Sequence, residues 1–239
     1  MKTSLLTKSV YFSLLAFLPV LATAQDKLSA NLGADLVSSY VWRGIKQGGG
    51  ASIQPALNAS YKNFTLGTWG STDLGNSGAK EIDFYTSYEN SGFKFLVTDY
   101  WWDSEAAFRY FSAPTGGNGH YLELTASYSF AESFPLSVSW NTFVLGKGNK
   151  KDNGNNSYST YIEFAYPFTI DNLEMGISTG FTPWSGAVYN TDGFEFTSIQ
   201  LSALKNIKIT DKITLPIFGN LIANPAHEDI HFVFGIKIN

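Results

Sequence analysis

The stretch Tyr121-Leu122-Glu123-Leu124-Thr125-Ala126-Ser127-Tyr128-Ser129-Phe130 decides the fold class. Leu122, Leu124, Ala126, Tyr128 and Phe130 alternate with Glu123, Thr125, Ser127 and Ser129. A strand lays successive side chains on opposite faces, so this segment reads as a strand with one apolar and one mostly polar face. The period continues on both sides of it. In Asn31–Arg43, Leu32, Ala34, Leu36, Tyr40 and Trp42 oppose Asn31, Gly33, Asp35, Ser39 and Arg43. In Glu81–Glu89, Ile82, Phe84 and Tyr88 oppose Glu81, Asp83, Ser87 and Glu89. Tyr158–Phe168 sets Ile162, Phe164, Tyr166 and Phe168 against Ser159 and Glu163, and the last segment sets Ile230, Phe232, Phe234, Ile236 and Ile238 against His231, Gly235 and Lys237. No window of similar length shows a helical period of 3.6.

About twelve such segments are expected, each near the ~9–11 residues that a tilted strand needs to cross a bilayer. They begin near Asn31, Ser52, Phe64, Lys80, Gly92, His120, Phe134, Ser157, Leu173, Phe194, Lys212 and Asp229. Links after even-numbered segments are mostly short: Lys62-Asn63, Asn90-Ser91, Ala131 to Ser133 and Thr169 to Asn172, with Asn206 to Asp211 somewhat longer. Links after odd-numbered segments are mostly longer and rich in Gly, Asn and Ser: Gly44–Ala51, Asp103–Gly119, Gly146–Asn156, Ser185–Gly193 and Asn224–Glu228. That alternation predicts an all-β, up-and-down antiparallel transmembrane barrel with periplasmic turns, extracellular loops and both termini in the periplasm. The competing architecture is a periplasmic or extracellular all-β domain with its apolar face turned inward, since Gly92 to Trp102 and Phe194 to Leu204 alternate imperfectly.

Residues 1–24 read as a cleavable signal peptide rather than as part of the fold. Lys2 and Lys8 open it, Val10 to Leu21 form an apolar run, and Ala22-Thr23-Ala24 places small residues where a signal peptidase reads, so cleavage is expected before Gln25. The run is short of the about 20 residues that a spanning helix needs, which weighs against an uncleaved anchor. Residues 25–239 are then a single barrel domain. Removing two lysines from the 16 basic residues leaves 14 against 20 acidic ones, a net charge of −6 with no basic tract. A nucleic-acid partner, which needs a positive surface, is excluded. The absence of cysteine excludes disulfides, thiolate metal sites, a cysteine nucleophile and a lipidated cysteine. Phe, Tyr and Trp make up 16% of the chain and charged residues only 15%, against about 25% charged in ordinary soluble domains. That mixture suits a barrel with lipid outside and water inside.

Aromatic residues fall at the expected strand ends. Tyr40, Trp42, Tyr100, Trp101, Trp102 and Trp184 lie at extracellular ends, and Tyr61, Phe93, Tyr128, Phe134 and Phe168 at periplasmic ones. Trp42, Trp101, Trp102 and Trp184 are the candidates for an aromatic girdle at the lipid interface; the alternative is that aromatics are simply good strand formers. Asp35, Arg43, Asp83, Lys94, Glu123 and Glu163 fall on polar faces and are the pore-lining candidates. Two readings of these charges stand side by side: a ring that biases which ions pass, or pairs across the lumen that plug a narrow barrel. Acids predominate among them, so a conducting pore is expected to show mild cation preference. Loop Asp103–Gly119, with Phe108, Tyr110 and Phe111, is the expected constriction.

The first third of this expected barrel resembles the TorF family of small candidate outer-membrane porins. Ser38-Ser39-Tyr40-Val41-Trp42-Arg43-Gly44-Ile45 is similar to that family's opening strand and turn, and Pro55-Ala56-Leu57, Gly67-Thr68-Trp69 and Glu81-Ile82-Asp83-Phe84-Tyr85 follow in the family's order. Lys46-Gln47, Ser71-Thr72 and the terminal Asn239 depart from the pattern. The resemblance implies an outer-membrane location in a Gram-negative cell and a loosely defined transport role, and transfers no site.

Two catalytic patterns occur in unsuitable settings. His227-Glu228-Asp229-Ile230-His231 spells the zinc-protease motif, but Pro225 precedes it and an alternating strand begins inside it. In a strand, residues four apart lie about 13 Å apart and cannot clasp one ion. Gly176-Ile177-Ser178-Thr179-Gly180 matches a nucleophile elbow but sits within a strand with no helix to follow. No histidine has a serine two positions away, the arrangement expected of an outer-membrane lipid hydrolase, and His120 reads as structural. No catalytic residue, metal site or cofactor is expected. The sequence points to a passive channel for small hydrophilic solutes, with outer-membrane lipid and the barrel-assembly machinery as partners. A non-conducting structural or interaction barrel is the alternative, and a lipid hydrolase the least supported.

Overall fold

A computed structural model describes residues 27–75, 79–103, 110–111, 119–211 and 213–238. The expected signal peptide, Phe108 and Lys212 lie outside the described residues. The chain forms a closed antiparallel barrel of twelve strands: β1 (Ser29–Val37), β4 (Ser52–Tyr61), β5 (Phe64–Asp73), β6 (Lys80–Asn90), β7 (Phe93–Asp103), β8 (His120–Ser129), β9 (Ser137–Gly146), β10 (Thr160–Ile170), β11 (Leu173–Thr182), β12 (Glu195–Lys208), β13 (Thr214–Asn224) and β14 (Asp229–Ile238). Between β1 and β4 lies a separate hairpin, β2 (Tyr40–Trp42) with β3 (Ile45–Gln47). Each barrel strand pairs with its neighbours in sequence, and β1 closes the ring against β14, from Ala34 opposite Ile238 to Val37 opposite Gly235. Closure leaves no strand edge to be satisfied by solvent.

The two faces are sorted oppositely to those of a soluble protein. On β4, Ser52, Gln54, Asn58 and Ser60 are buried in the interior, while Ile53 and Leu57 between them are exposed. On β14, Ile230, Phe232 and Phe234 point outward with 71%, 67% and 58% of their surface exposed. A water-soluble sandwich or barrel would bury those side chains, because burial is what drives its folding. The all-β domain with an inward apolar face is therefore excluded by the direction of the side chains. Among the described residues no helix is long and apolar enough to cross a membrane.

Short turns gather at one end of the barrel, with both described ends of the chain, and longer connections at the other. These are called the turn end and the loop end. The Asn90 to Phe93 link shows the local chemistry: Ser91 and Gly92 both take positive φ, 51° and 85°, the twist that a two-residue hairpin requires.

The structure differs from the sequence reading in the first segment. Asn31–Arg43 is not one strand. β1 ends at Val37, and after Ser38-Ser39 the chain leaves the wall, so Tyr40 and Trp42 belong to the inner hairpin. Alternation alone cannot reveal this, because a hairpin folded into the bore keeps the same period as the wall.

Candidate functional site

The hairpin β2–β3 turns on Arg43 and Gly44, which take φ of 49° and 84° between the paired residues Trp42 and Ile45. Positive φ at both central positions gives a tight turn whose twist matches its strands. Glycine adopts that conformation freely; arginine does not, and a strained non-glycine residue persists only where its surroundings hold it. What holds Arg43 is a cage in the bore. Its guanidinium donates to Glu123 of β8 in bidentate fashion, at 2.6 Å to Oε1 and 3.0 Å to Oε2. It also donates to the Tyr189 hydroxyl, and the rings of Trp42 and Tyr161 each lie 4.7 Å from it. The side chains of Arg43 and Glu123 are 6% and 1% exposed. Burial raises the Tyr189 phenol, in the loop after β11, above its ordinary value, so its oxygen stays protonated while accepting from Arg43.

The hairpin reaches most of the circumference. Tyr40 packs edge-on to Trp69 of β5 at 5.5 Å and donates to Glu81 Oε2 of β6 at 2.7 Å. Trp42 meets Tyr100 of β7 and Phe143 of β9, and stacks on Tyr189 at 5.6 Å. On the far side, Asn224 of β13 donates to the Gly44 carbonyl at 3.2 Å, and a Cβ on Gly44 would stand 1.8 Å from the Thr197 carbonyl oxygen of β12. Val41 joins Val37, Phe218, Ile222 and Val233 in a second apolar cluster. The hairpin thus spans the bore from β5 to β13. Aromatic contact and a buried bidentate ion pair fix it there.

All six sequence-expected pore residues lie inside the barrel. Arg43 comes from the hairpin; Asp35, Asp83, Lys94, Glu123 and Glu163 come from inward positions of β1, β6, β7, β8 and β10. Arg43 and Glu123 meet directly. Lys94 lies 3.8 Å from Glu89, and Lys237 lies 3.3 Å from Asp35. Tyr161 donates to Glu163 at 2.9 Å. Asp83 and Glu81 are successive inward residues of β6. Acids at inward positions, among them Asp35, Glu81, Asp83, Glu89, Glu123, Glu163, Glu174 and Glu195, outnumber the described inward bases Arg43, Lys94, Lys208 and Lys237. Sequence reasoning missed Glu81 as a site residue, and with it Tyr40, Gly44 and Tyr189. The available signal was the Arg-Gly pair between Tyr40-Val41-Trp42 and Ile45-Lys46-Gln47, which has the form of a two-residue hairpin.

Two expectations need correction. Trp42 and Trp102 are not girdle residues: both point into the bore, 5.6 Å apart, Trp42 being 4% exposed. Trp101 faces outward but is covered, 3% exposed, with Tyr110 beside it. Trp184 faces outward and is 39% exposed, with Trp140 at 5.8 Å and outward Phe194 and Phe196 further round the same end. The second correction concerns the constriction. Tyr110 lies on the outer wall against outward Phe84 and His120, so the described part of Asp103–Gly119 does not enter the bore. The hairpin enters instead, together with Tyr189 of the loop before β12.

Of the motif residues, His227 closes a 3-10 turn (Pro225–His227), Glu228 follows at φ 56°, and His231 lies within β14, so the two histidines share no helical face. Gly176–Gly180 runs inside β11. His120 sits on the outer wall with Nδ1 3.0 Å from Asp99 and Nε2 2.9 Å from the Tyr110 carbonyl; both ring nitrogens are engaged in fastening Tyr110.

The sequence model of a family described as "Bacterial protein of unknown function (Gcw_chp)" matches residues 21–208. The chain belongs to this family. The matched description does not carry the TorF name. No curated protein matches the sequence. Among solved structures, a KdgM porin shares 8% identity over 87% of this chain and 98% of that one, with a TM-score of 0.49. A KdgM porin in complex with disordered oligogalacturonate shares 9% identity over 89% of this chain and 99% of that one, with a TM-score of 0.46.

Proposed function

We propose that this member of the family is an outer-membrane channel for small hydrophilic solutes, narrowed near its loop end by the hairpin β2–β3. One observation carries the reading: a closed strand ring with an apolar exterior and a polar, charge-bearing interior. Such a ring is stable with lipid outside, where every backbone group must be satisfied within the structure. Twelve strands enclose more lumen than the packed eight-stranded barrels and less than large porins. The sequence's signal-peptide pattern supports export, and the short turns beside both chain ends support periplasmic termini. Outer-membrane lipid and the assembly machinery are then the partners in the cell. The engaged nitrogens of His120 and the strand setting of Ser178 favour no hydrolytic role.

The latched hairpin favours a second reading, a barrel that does not conduct and serves as a structural or interaction protein. Planar-bilayer recording on protein refolded from residue 25 onward separates the two. Discrete current steps support the channel; an electrically silent bilayer holding folded, inserted protein supports the second reading.

A further inference from the structure

The outer wall carries a depression of about 640 Å³ where β8 and β9 approach the loop end. Its floor is apolar: Leu122 of β8 and Leu145 of β9 are paired in register and face outward, Leu145 with 57% of its surface exposed. Lys147 and Lys150 line its loop side, and Asp99 and His120 its β7 side. The lysine-bearing loop is fastened from within. Asn149, fully buried, donates to the Phe143 carbonyl at 2.8 Å and accepts from the Ser159 amide at 3.0 Å. Asn156 donates to the Val144 carbonyl at 2.9 Å, and the Gly148 amide donates to the Tyr121 hydroxyl at 3.2 Å. Lys150 donates to the neutral side-chain oxygen of Asn156, and neither lysine meets an acid among the described residues. Asp99 is already engaged: it accepts from the Tyr110 hydroxyl at 2.6 Å and lies 3.0 Å from His120 Nδ1. Outward aromatics stand on both sides, Tyr110 at 4.7 Å from His120 and Trp140 of β9 beside Trp184. Such rings mark the headgroup level of a barrel wall, so the depression lies where lipid turns from acyl chain to charge.

We propose that this cleft binds the phosphate headgroup of an anionic membrane lipid, with Lys147 and Lys150 on the phosphate and an acyl chain along Leu122 and Leu145. The proposal rests on the lipid-embedded reading of the barrel and names the class of lipid that its outer wall selects; it does not need conduction. A lysine meets phosphate as a point charge and lays its own stem along apolar surface, which matches two ammonium groups beside a leucine floor. A zwitterionic lipid fits less well, because its own cation would enter the same basic rim. A free phosphate would use the lysines and leave the leucines uncovered.

The test is native mass spectrometry of the folded full barrel in detergent, titrated with phosphatidic acid or with phosphatidylcholine of the same chains. Phosphatidic acid is expected to bind more tightly. Each lysine near a charged lipid surface is worth about fivefold, so Lys147→Gln with Lys150→Gln should weaken phosphatidic acid about thirtyfold. Lys62→Gln with Lys208→Gln removes the same charge from exposed positions at the turn end. Those charges lie beyond a Debye length, so binding should change less than about twofold. Leu145→Asn should also weaken the lipid, and glycerophosphate, the headgroup without its chains, should not displace it. Equal binding of the two lipids, equal losses in the two double variants, or an unchanged Leu145→Asn protein overturns the proposal. Displacement by glycerophosphate overturns it in favour of a soluble phosphate. A barrel whose outward Trp140 and Trp184 escape quenching by brominated lipid overturns the lipid-embedded reading itself, whereas quenching without preference for phosphatidic acid removes only this cleft.

Discussion

Arg43→Ala is the perturbation that bears hardest on the hairpin. The substitution removes both hydrogen bonds to Glu123, the bond to Tyr189 and the ring contacts to Trp42 and Tyr161. It also leaves the Glu123 carboxylate, 1% exposed, without its counter-ion. Removing one member of a buried pair costs about 3–5 kcal/mol, because the remaining charge is stranded. Relief of the positive φ at Arg43 offsets little of this, since alanine is strained there as well. At ~1.4 kcal/mol per tenfold, the docked hairpin should lose about 100- to 4,000-fold in stability relative to undocked forms. An undocked two-stranded hairpin is marginal in water. Backbone amides of residues 40–47 should therefore lose hydrogen-exchange protection by a comparable factor, measured by mass spectrometry, while β8 and β9 keep theirs. Glu123→Gln should cost less, since an amide still accepts from the guanidinium, and the double variant should cost less than the sum of the singles. A folded Arg43→Ala barrel with unchanged protection in the hairpin would refute the latch.

Gly44→Ala attacks the same latch from the backbone: a Cβ 1.8 Å from the Thr197 carbonyl cannot be accommodated, so hairpin protection should fall while the barrel stays intact by circular dichroism. In brominated-lipid bilayers, replacing Trp140 and Trp184 by Phe should remove most of the quenchable tryptophan fluorescence, because both face outward at 45% and 39% exposure. Replacing Trp42 and Trp69, which face the bore, should remove mainly the unquenched part; the opposite pattern would invert the assignment of faces. With acids outweighing bases along the inner wall, reversal potentials in a salt gradient should show cation preference, and anion preference would contradict the electrostatic account.

The wall of the barrel was legible because its code is local. Period two at Tyr121–Phe130 or Ile230–Ile238 needs no knowledge of distant residues, and strand starts at Ser52, Phe64, Lys80, His120, Leu173 and Asp229 fall where the alternation begins. The plug was not legible, because it depends on which way a segment turns after leaving the wall. Tyr40 and Trp42 read as lipid-facing aromatics by period alone; only the placement of Glu81, Tyr100 and Tyr189 around them reveals the bore. The polar face of the alternation carries Asp83 and Glu123, yet nothing in sequence spacing joins Arg43 to Glu123, 80 residues away. Glu81 escaped notice for the same reason: its hydrogen bond comes from Tyr40, 41 residues distant.

The central claim is a lipid-embedded channel narrowed by its own hairpin, and single-channel recording of wild type beside Arg43→Ala tests it most directly. The account predicts discrete steps for the wild type and larger or more frequent ones for Arg43→Ala, as the hairpin leaves the bore. Silence from both proteins, shown to be folded and inserted, would contradict it.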